Sequence, residues 1–470
     1  MTLVGQIPDW FMSMAWRESS GDNTVTASMA RALDLGDDQR TVFITPELEG
    51  DERRHHQGLP NSLEVQHVTR MAIENFCLSR IESVVRPPPG PPARPPWTPP
   101  NPVLRVTTPD PGTRRGREAL DPQDIVVTSV GAVCPVGLDA LAATAALRAG
   151  VSRLADAPEV SVPAGARGLA AEPALAARVS TVPASVVGPR RDLALLAPAL
   201  SEALARVDLP PDRVVVCVGS GRDPEGLAAA IREWVGDAAA VEVTAGPRVQ
   251  TAALHALSQA VAAVRRQPTL RVVVAAVGSR AEPETMRALA RAGRLKSSLR
   301  PDGVVPGEAA AAVVVESAGS ARQRGAPVLA RVASSGSAAE PAPKLERAEG
   351  LTDAVRQAVS ACDVGLVVAD LNGERGRARE WALASMRALP FRPDERPVWH
   401  PAQGVGDAGV GAGALLLVVA ALALARGHAG AEAALVVASD DDGARSAVVL
   451  APVDRIAVVP GEPPLAWVAR

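Results

Sequence analysis

The chain has 470 residues, 47% hydrophobic and 21% charged, which matches an ordinary globular protein and excludes a mostly disordered one. Its 49 basic and 52 acidic residues leave a formal net charge of −3, a balance that argues against a nucleic-acid-binding surface. Aromatics are only 2%, with no Tyr, so the core must be built from Ala, Val and Leu; the Cys at 77, 134, 217 and 362 fit neither a disulfide framework nor a zinc motif.

Residues 1–83 hold five of the seven Met and three of the four Phe, with little Ala, and read as a separate extension. Within it, Ser62–Val85 carries Leu63, Val68, Met71, Ala72 and Phe76 near helical spacing, which predicts one amphipathic helix, packed on the body or docked on a partner. His55, His56 and His67 are too scattered for a metal site. The first twenty residues lack a basic region followed by an apolar run, so no secretory signal is read and a cytoplasmic protein is expected. Residues 84–121 form a Pro-rich linker, with twelve prolines between Pro87 and Pro111. Proline fixes φ and removes donors, so this stretch is extended and semi-rigid. Its PxxP patterns, such as Pro92–Pro95 beside Arg94, would also suit a Pro-binding domain.

From Asp124 onward, β-branched runs alternate with helical patterns, the signature of an α/β protein. In chain order the patterns predict strand Ile125–Val130 ending at Gly131, helix Leu138–Gly150, helix Asp192–Val207, strand Val214–Val218, helix Asp223–Val235, helix Thr251–Arg265 and strand Leu270–Val277. Helix Glu282–Gly293, strands Ala309–Glu316 and Val328–Gly336, helix Leu351–Ala361, strand Val364–Ala369 and helix Glu374–Leu389 follow. The apolar helix Gly411–Gly427 and strands Ala433–Ala438 and Ser446–Pro452 close the body. The apolar run Val410–Ala425 is shorter than the roughly 20 residues that span a bilayer, so it predicts a core helix and no membrane segment. A helix apolar all round must be buried on all sides, as between two sheets.

Five segments in order carry a family resemblance. IVVTSVGAVCPVGLDALAATAALRAGVSRL, from Ile125, resembles an opening strand, a T-G-x-G-x-x-x-P-x-G turn and a first helix; Ser129 replaces the usual Gly, while Gly131, Pro135 and Gly137 fit. VVVCVGSG, from Val214, is similar to the strand and glycine turn ahead of a nucleophile helix. RPDGVVPGEAAAAVVVESAGSARQRGAPVLARV, from Arg300, is similar to an R-P…G-E-G-A…L-E block, with Gly307 and Glu308 in place. GVGDAGVGAGALLLVVAALALARG, from Gly404, resembles a G-H-x-x-G-A-A-G loop and its buried helix, and AALVVASDDDGARSAVVLAP, from Ala433, resembles the closing strand, turn and strand. The family is that of the β-ketoacyl synthases (3-oxoacyl-acyl-carrier-protein synthases) of fatty acid and polyketide biosynthesis. The resemblance implies a thiolase-like, five-layered αβαβα fold of two duplicated halves, at 122–319 and 320–455, with a tail at 456–470.

What the family needs is a Cys at a helix start that carries the acyl group, two His that stabilise the charge of malonyl decarboxylation, and oxyanion-hole N–H groups. Matched residue by residue, Gly246 stands at the Cys position, or Pro247 with a one-residue shift. Asp370 matches the first His and Asp407 the second, Ala402 matches the family's Lys, and Asp440-Asp441-Asp442-Gly443 matches its Phe-bearing turn. The resemblance therefore implies a degenerate member, inactive in condensation, that acts as a structural or regulatory partner. It would be a homodimer or a heterodimer with an active ketosynthase, in contact with an acyl carrier protein or acyl-CoA, and without cofactor or metal. Two alternatives stay open: an active acyltransferase, or different chemistry on Asp370 and Asp407 with His400 and Glu374 nearby. Against the second stands a plainer role for both Asp residues as turn caps. Cys134 and Cys217 read as small core residues, and His255 as a packing residue.

Overall fold

The computed structural model describes residues 120–163, 171–205, 214–220, 223–235, 241–245, 250–341, 347–359, 363–390, 396–429 and 432–453. The described residues belong to one compact unit, Arg115–Arg470. The pattern at Ser62–Val85, the prolines at 87–111, Gly246, Pro247, Cys77, Cys362, His55, His56 and His67 lie outside the described residues.

The first half comprises β1 (Ile125–Val133), α1 (Ala140–Arg148), β2 (Leu154–Pro163), β3 (Ala171–Ala177), α2 (Pro189–Leu204), β4 (Val214–Ser220), α3 (Pro224–Val235) and β5 (Val241–Ala245). It continues with α4 (Ala252–Arg266), β6 (Arg271–Ser279), α5 (Pro283–Arg291), β7 (Glu308–Ser317) and α6 (Ala318–Gln323). The second half comprises β8 (Ala330–Ala339), α7 (Glu349–Val359), β9 (Val364–Ala369), α8 (Arg375–Ala388), β10 (Val398–Trp399), α9 (Ala402–Val405), α10 (Val410–Ala425), β11 (Ala433–Ser439) and β12 (Ala444–Ala451).

Ten of these strands form one sheet in which two sets of five repeat the same plan. The first set runs β1-β7-β6-β4-β5 and the second β8-β12-β11-β9-β10. Pairing senses match position by position: the first two pairs of each set are antiparallel and the last two parallel. The sets meet through only two residue pairs between β1 and β8, Val126 with Arg331 and Val127 with Ala330.

Side-chain alternation along the strands defines the layers. In β6, Val272, Val274 and Ala276 pack into the core that holds α4 and α10, while Val273, Ala275 and Val277 pack against α2 and α3. In β11, Ala434, Val436 and Ala438 join the same central core, while Ala433, Leu435 and Val437 pack against α7 and α8. A strand with apolar residues on both faces must be covered on both. The order is thus helices, sheet, α4 with α10, sheet, helices: the five-layered arrangement that the family resemblance implies. Helix α10 is buried along its length, with Leu415, Leu416 and Leu417 each about 1% exposed. Each such side chain contributes about 1.5–3 kcal/mol by leaving water. Gly278 of β6 and Gly411 of α10 let backbone meet backbone: a Cβ on Gly278 would stand 2.2 Å from the Ala408 oxygen, and one on Gly411 2.2 Å from the Ala309 oxygen.

The structure corrects three expectations. Strand β1 does not end at Gly131 but runs on to Val133, because Gly131 faces α2 so closely that a Cβ would meet the Ala199 oxygen at 2.0 Å. The hairpin β2–β3 was not expected; Pro158, Pro163 and Pro173 interrupt its pattern, and its apolar face is mostly small residues (Ala157, Val160, Val162, Ala174, Ala176) packed on Met286 and Leu289. His255 does not pack; it is exposed on α4 beside Gln259. Cys134 is fully buried, and burial pushes its thiol up to about 11, which leaves it inert at neutral pH. Cys217 sits on β4 as expected. Among the described residues no helix is long and apolar enough to cross a membrane.

Candidate functional site

The C-terminal ends of parallel strands are where α/β sheets present ligand sites. Here Arg280 follows β6, Asp370 follows β9, and Asp440 and Asp441 follow β11. The loops ahead of the two central helices reach the same place, with Gln250 shortly before α4 and Asp407 shortly before α10.

Of these residues, Gln250, Asp370 and Asp407 line a cavity of about 20 Å³. Its polar wall is Gln250, Asp370, Asn372 and Asp407, and its apolar wall includes Ala402, Leu415 and Leu416. Space of that size holds about one water molecule. The structure thus brings Asp370, Asp407 and Ala402 to one cavity. Glu374 stands one layer out, accepting two hydrogen bonds from Arg294 at 2.8 and 2.9 Å and one from Asn372 at 2.9 Å. His400 is turned to Gln403 rather than to either Asp.

Both carboxylates are heavily bonded. Asp407 Oδ2 accepts from Arg280 at 2.9 Å and from Asn372 at 2.8 Å, and its Oδ1 accepts from the Gly409 N–H at 2.8 Å. Asp370 Oδ2 accepts from Arg377 and, at 2.8 Å, from the Ser439 N–H. Asp407 thus caps its own turn through the Gly409 N–H, whereas Asp370 bonds an N–H at the end of the neighbouring strand β11, and each also holds a guanidinium. Arg377 continues the chain of contacts to the Ser439 carbonyl at 2.7 Å, to Gln250 Oε1 at 2.6 Å and to Asp441 at 3.2 Å. Arg294 joins Asp441 at 2.7 Å, and Asp440 accepts from the Gln250 N–H.

The two carboxyls titrate in opposite directions. Burial pushes Asp370 above the ordinary carboxyl range, and the Arg377 charge only partly offsets it. Burial also works against charge on Asp407, but Arg280, Arg377 and the bonds from Asn372 and Gly409 outweigh it and hold the group below its ordinary value. Asp441 is likewise brought down to about 2: burial raises it, while the Arg294 bond and the Arg377, Arg294 and Arg280 charges lower it further. Arg377 and Arg294 are raised and stay cationic, burial alone opposing this. Among the described residues no group of three or more His, Cys, Asp or Glu is placed to hold a metal ion.

Gln250, Arg280, Arg294 and Arg377 were not singled out by sequence reasoning, which searched for thiols and imidazoles. A signal existed for two of them. Gln250 directly precedes the predicted helix Thr251–Arg265, and Arg377 follows Asp370 by seven residues at the start of the predicted helix Glu374–Leu389.

No family model and no curated protein matches this chain. Solved structures do. A type II polyketide synthase acyl-carrier protein in complex with its ketosynthase, bound to the hexaketide, aligns at 16% identity and TM-score 0.59, over 71% of this chain and 100% of that one. The oxazolomycin ketosynthase domain of Streptomyces albus aligns at 18% identity and TM-score 0.57, over 73% of this chain and 76% of that one. The ishigamide ketosynthase/chain length factor aligns at 16% identity and TM-score 0.53, over 70% of this chain and 99% of that one. This chain has the thiolase-like fold of the ketosynthases.

Proposed function

We propose that the chain is a ketosynthase-like subunit of polyketide or fatty acid biosynthesis that does not condense acyl groups and serves as a structural or regulatory partner. One observation carries the reading: Asp370 and Asp407, which the resemblance matches to the two His of a ketosynthase, line one small cavity and are bonded into an arginine–carboxylate network. Among the described residues, the side chain that reaches this cavity from the start of α4 is an amide, Gln250. Decarboxylation of malonyl develops negative charge, and that charge would meet Asp370 and Asp407 where it needs donors. At 4 Å and an effective dielectric of 20 the repulsion of two unit charges is about 4 kcal/mol. Each 1.4 kcal/mol is roughly tenfold in rate. The guanidinium groups do not reverse this, since Arg280 and Arg377 are already bonded to those carboxylates.

The partner reading is supported by the similar structures, one an acyl-carrier protein with its ketosynthase and another a ketosynthase/chain length factor. The kinds of partner they suggest are an active ketosynthase or a second copy, with an acyl carrier protein or acyl-CoA as the acyl donor that the pair engages. The test is intact mass after incubation with acyl- and malonyl-loaded carrier protein or coenzyme A. No adduct and no malonyl decarboxylation are expected; a stoichiometric acyl adduct would sink the reading.

A second reading rests on the opposed titration of Asp370 and Asp407 in one cavity, the pattern of a carboxyl pair with split acid and base roles. It predicts turnover of an acyl thioester, without adduct, that Asp370→Asn or Asp407→Asn abolishes.

A further inference from the structure

We infer that the outward face of α1 is a docking site for the chain's own segment 454–470, engaged through Leu465 and Trp467; this is independent of the non-condensing reading. Exposure points to the face. Among the described residues six large apolar side chains are exposed, and three of them lie on or beside this one helix: Leu138 at 52%, Leu141 at 45% and Val151 at 37%. Ala142, Ala145 and Ala149 are exposed as well. With Leu138 and Leu141 they keep the spacing i, i+3, i+4, i+7, i+11 that a helix places on one side. The other side is buried through Ala140, Ala143 and Thr144. A helix apolar on both sides calls for cover on both. Asp139 does not make the outward side polar, since its carboxylate caps its own helix, accepting from the Ala142 N–H at 2.7 Å.

Size, composition and reach point to the occupant. The stripe is about 14 Å long and about 10 Å wide, one helix face. That is far below the roughly 800 Å² per partner that separate molecules bury in a stable interface. A segment of the same chain needs much less, because its tether holds it at an effective concentration of about millimolar. Segment 454–470 lies outside the described residues and follows Val453, just after β12. Between Ile456 and Val468 its single charge is Glu462. The end of α1 is short of negative charge. Arg148 there and Arg426 just after α10 both act on the His428 imidazole, which partial burial first and then these charges hold below its ordinary value; no carboxylate acts on it. Proline fixes φ, so Pro460, Pro463 and Pro464 reduce the entropy lost when the segment docks. Strand β12 ends at Ala451 beside Arg331 of β8, which pairs with Val126 at the start of β1. From there β1 spans about 30 Å to the turn before α1. The stretch from Val453 to Trp467 extends to about 48 Å.

The test is cysteine trapping in the full chain under a mild oxidant. Ala142→Cys combined with Ala466→Cys leaves the large apolar residues in place. It should form an intrachain disulfide, read by peptide mapping, roughly tenfold faster than Leu299→Cys combined with Ala466→Cys. Leu299 is 65% exposed on the loop between α5 and β7 and serves as the reference. Equal rates, or bridges between separate chains, would overturn the proposal. Hydroxyl-radical labelling reads the cover without added cysteines. Labelling of Leu138 and Leu141 is expected to rise several-fold in Trp467→Asp. Equal labelling in the variant and the wild type means that the face is open or otherwise covered, and overturns the proposal. Wild-type labelling that rises on dilution would assign the face to a second copy and overturn it as well.

Discussion

The first half of the fold brings an amide and two guanidinium groups to the cavity region, from Gln250, Arg280 and Arg294. The second half brings five carboxyls, Asp370, Glu374, Asp407, Asp440 and Asp441, and adds the guanidinium of Arg377. Beneath these side chains the strand order and pairing senses of the two halves are the same. The comparison separates two things that a duplicated fold keeps apart: topology decides where loops meet, and loop residues decide what the meeting does. Here the halves are complementary in charge, so their junction acts as a clasp. The central helices differ in the same spirit. Helix α10 is buried all round, whereas α4 exposes a polar side with His255 and Gln259.

The largest effect is expected from taking the cation out of the clasp. Arg377 and Asp370 have side chains 6% and 9% exposed, so Arg377→Ala leaves a buried carboxylate without its counter-charge. Loss of one partner of such a pair costs about 3–5 kcal/mol. Urea unfolding should read that loss, and Asp370→Asn added to Arg377→Ala should recover part of it. A loss below 1 kcal/mol would mean that the network is decoration rather than a clasp.

The next effect tests the backbone contact between the halves. Gly411→Ala would force the start of α10, in the second half, away from Ala309 of β7, in the first. Overpacking of this kind costs about 1–3 kcal/mol, read as a lower midpoint of thermal unfolding.

The layered fold was legible in the sequence because its strands are short apolar runs buried on both faces, as in the Val272–Val277 and Ala434–Ala438 segments. The uniformly apolar Leu415–Leu424 stretch announced a central helix by the same logic. The hairpin β2–β3 was not legible, since three prolines and a mostly small-residue face hide its alternation. At the site, Asp370 and Asp407 could be placed by resemblance, and the structure sets both on one cavity. Their partners could not, because Arg280 and Arg294 lie far from them in sequence and an arginine carries no local signature of the carboxylate it will meet. Only the closure of the two halves brings Arg280 to Asp407, across 127 positions.

A smaller effect distinguishes the two carboxyls by pH. Asp407 has its folded value depressed, so its contribution is present above the ordinary carboxyl value of about 4 and is lost as pH falls through the folded value. The stability gap between wild type and Asp407→Asn should therefore close on acidification. Asp370 has its folded value raised, so its charge costs stability above that value, and the cost is relieved as pH falls towards about 4. Relative to wild type, Asp370→Asn should thus lose ground as pH falls towards about 4, before the Asp407 gap begins to close. Stability relative to wild type, followed against pH, should slope in opposite directions for the two variants; parallel slopes would mean that the second half presents two equivalent carboxylates.

The smallest effect marks where the clasp ends. Arg375 of α8 pairs with Asp302 of the first half at 3.4 Å, so it too links the halves, but its side chain is 83% exposed and that of Asp302 41%. Water already solvates both charges, and salt screens what attraction remains. Exposed pairs contribute about 0–1 kcal/mol, and the length of the Arg375 side chain puts this one at the low end, since holding it in place costs rotamer entropy. Arg375→Ala should change the free energy of urea unfolding by less than about 0.5 kcal/mol and should leave the pH slopes of the Asp370 and Asp407 variants unchanged. A loss approaching that of Arg377→Ala would show that the charge network reaches the surface, and that burial is not what separates the clasp from an ordinary ion pair.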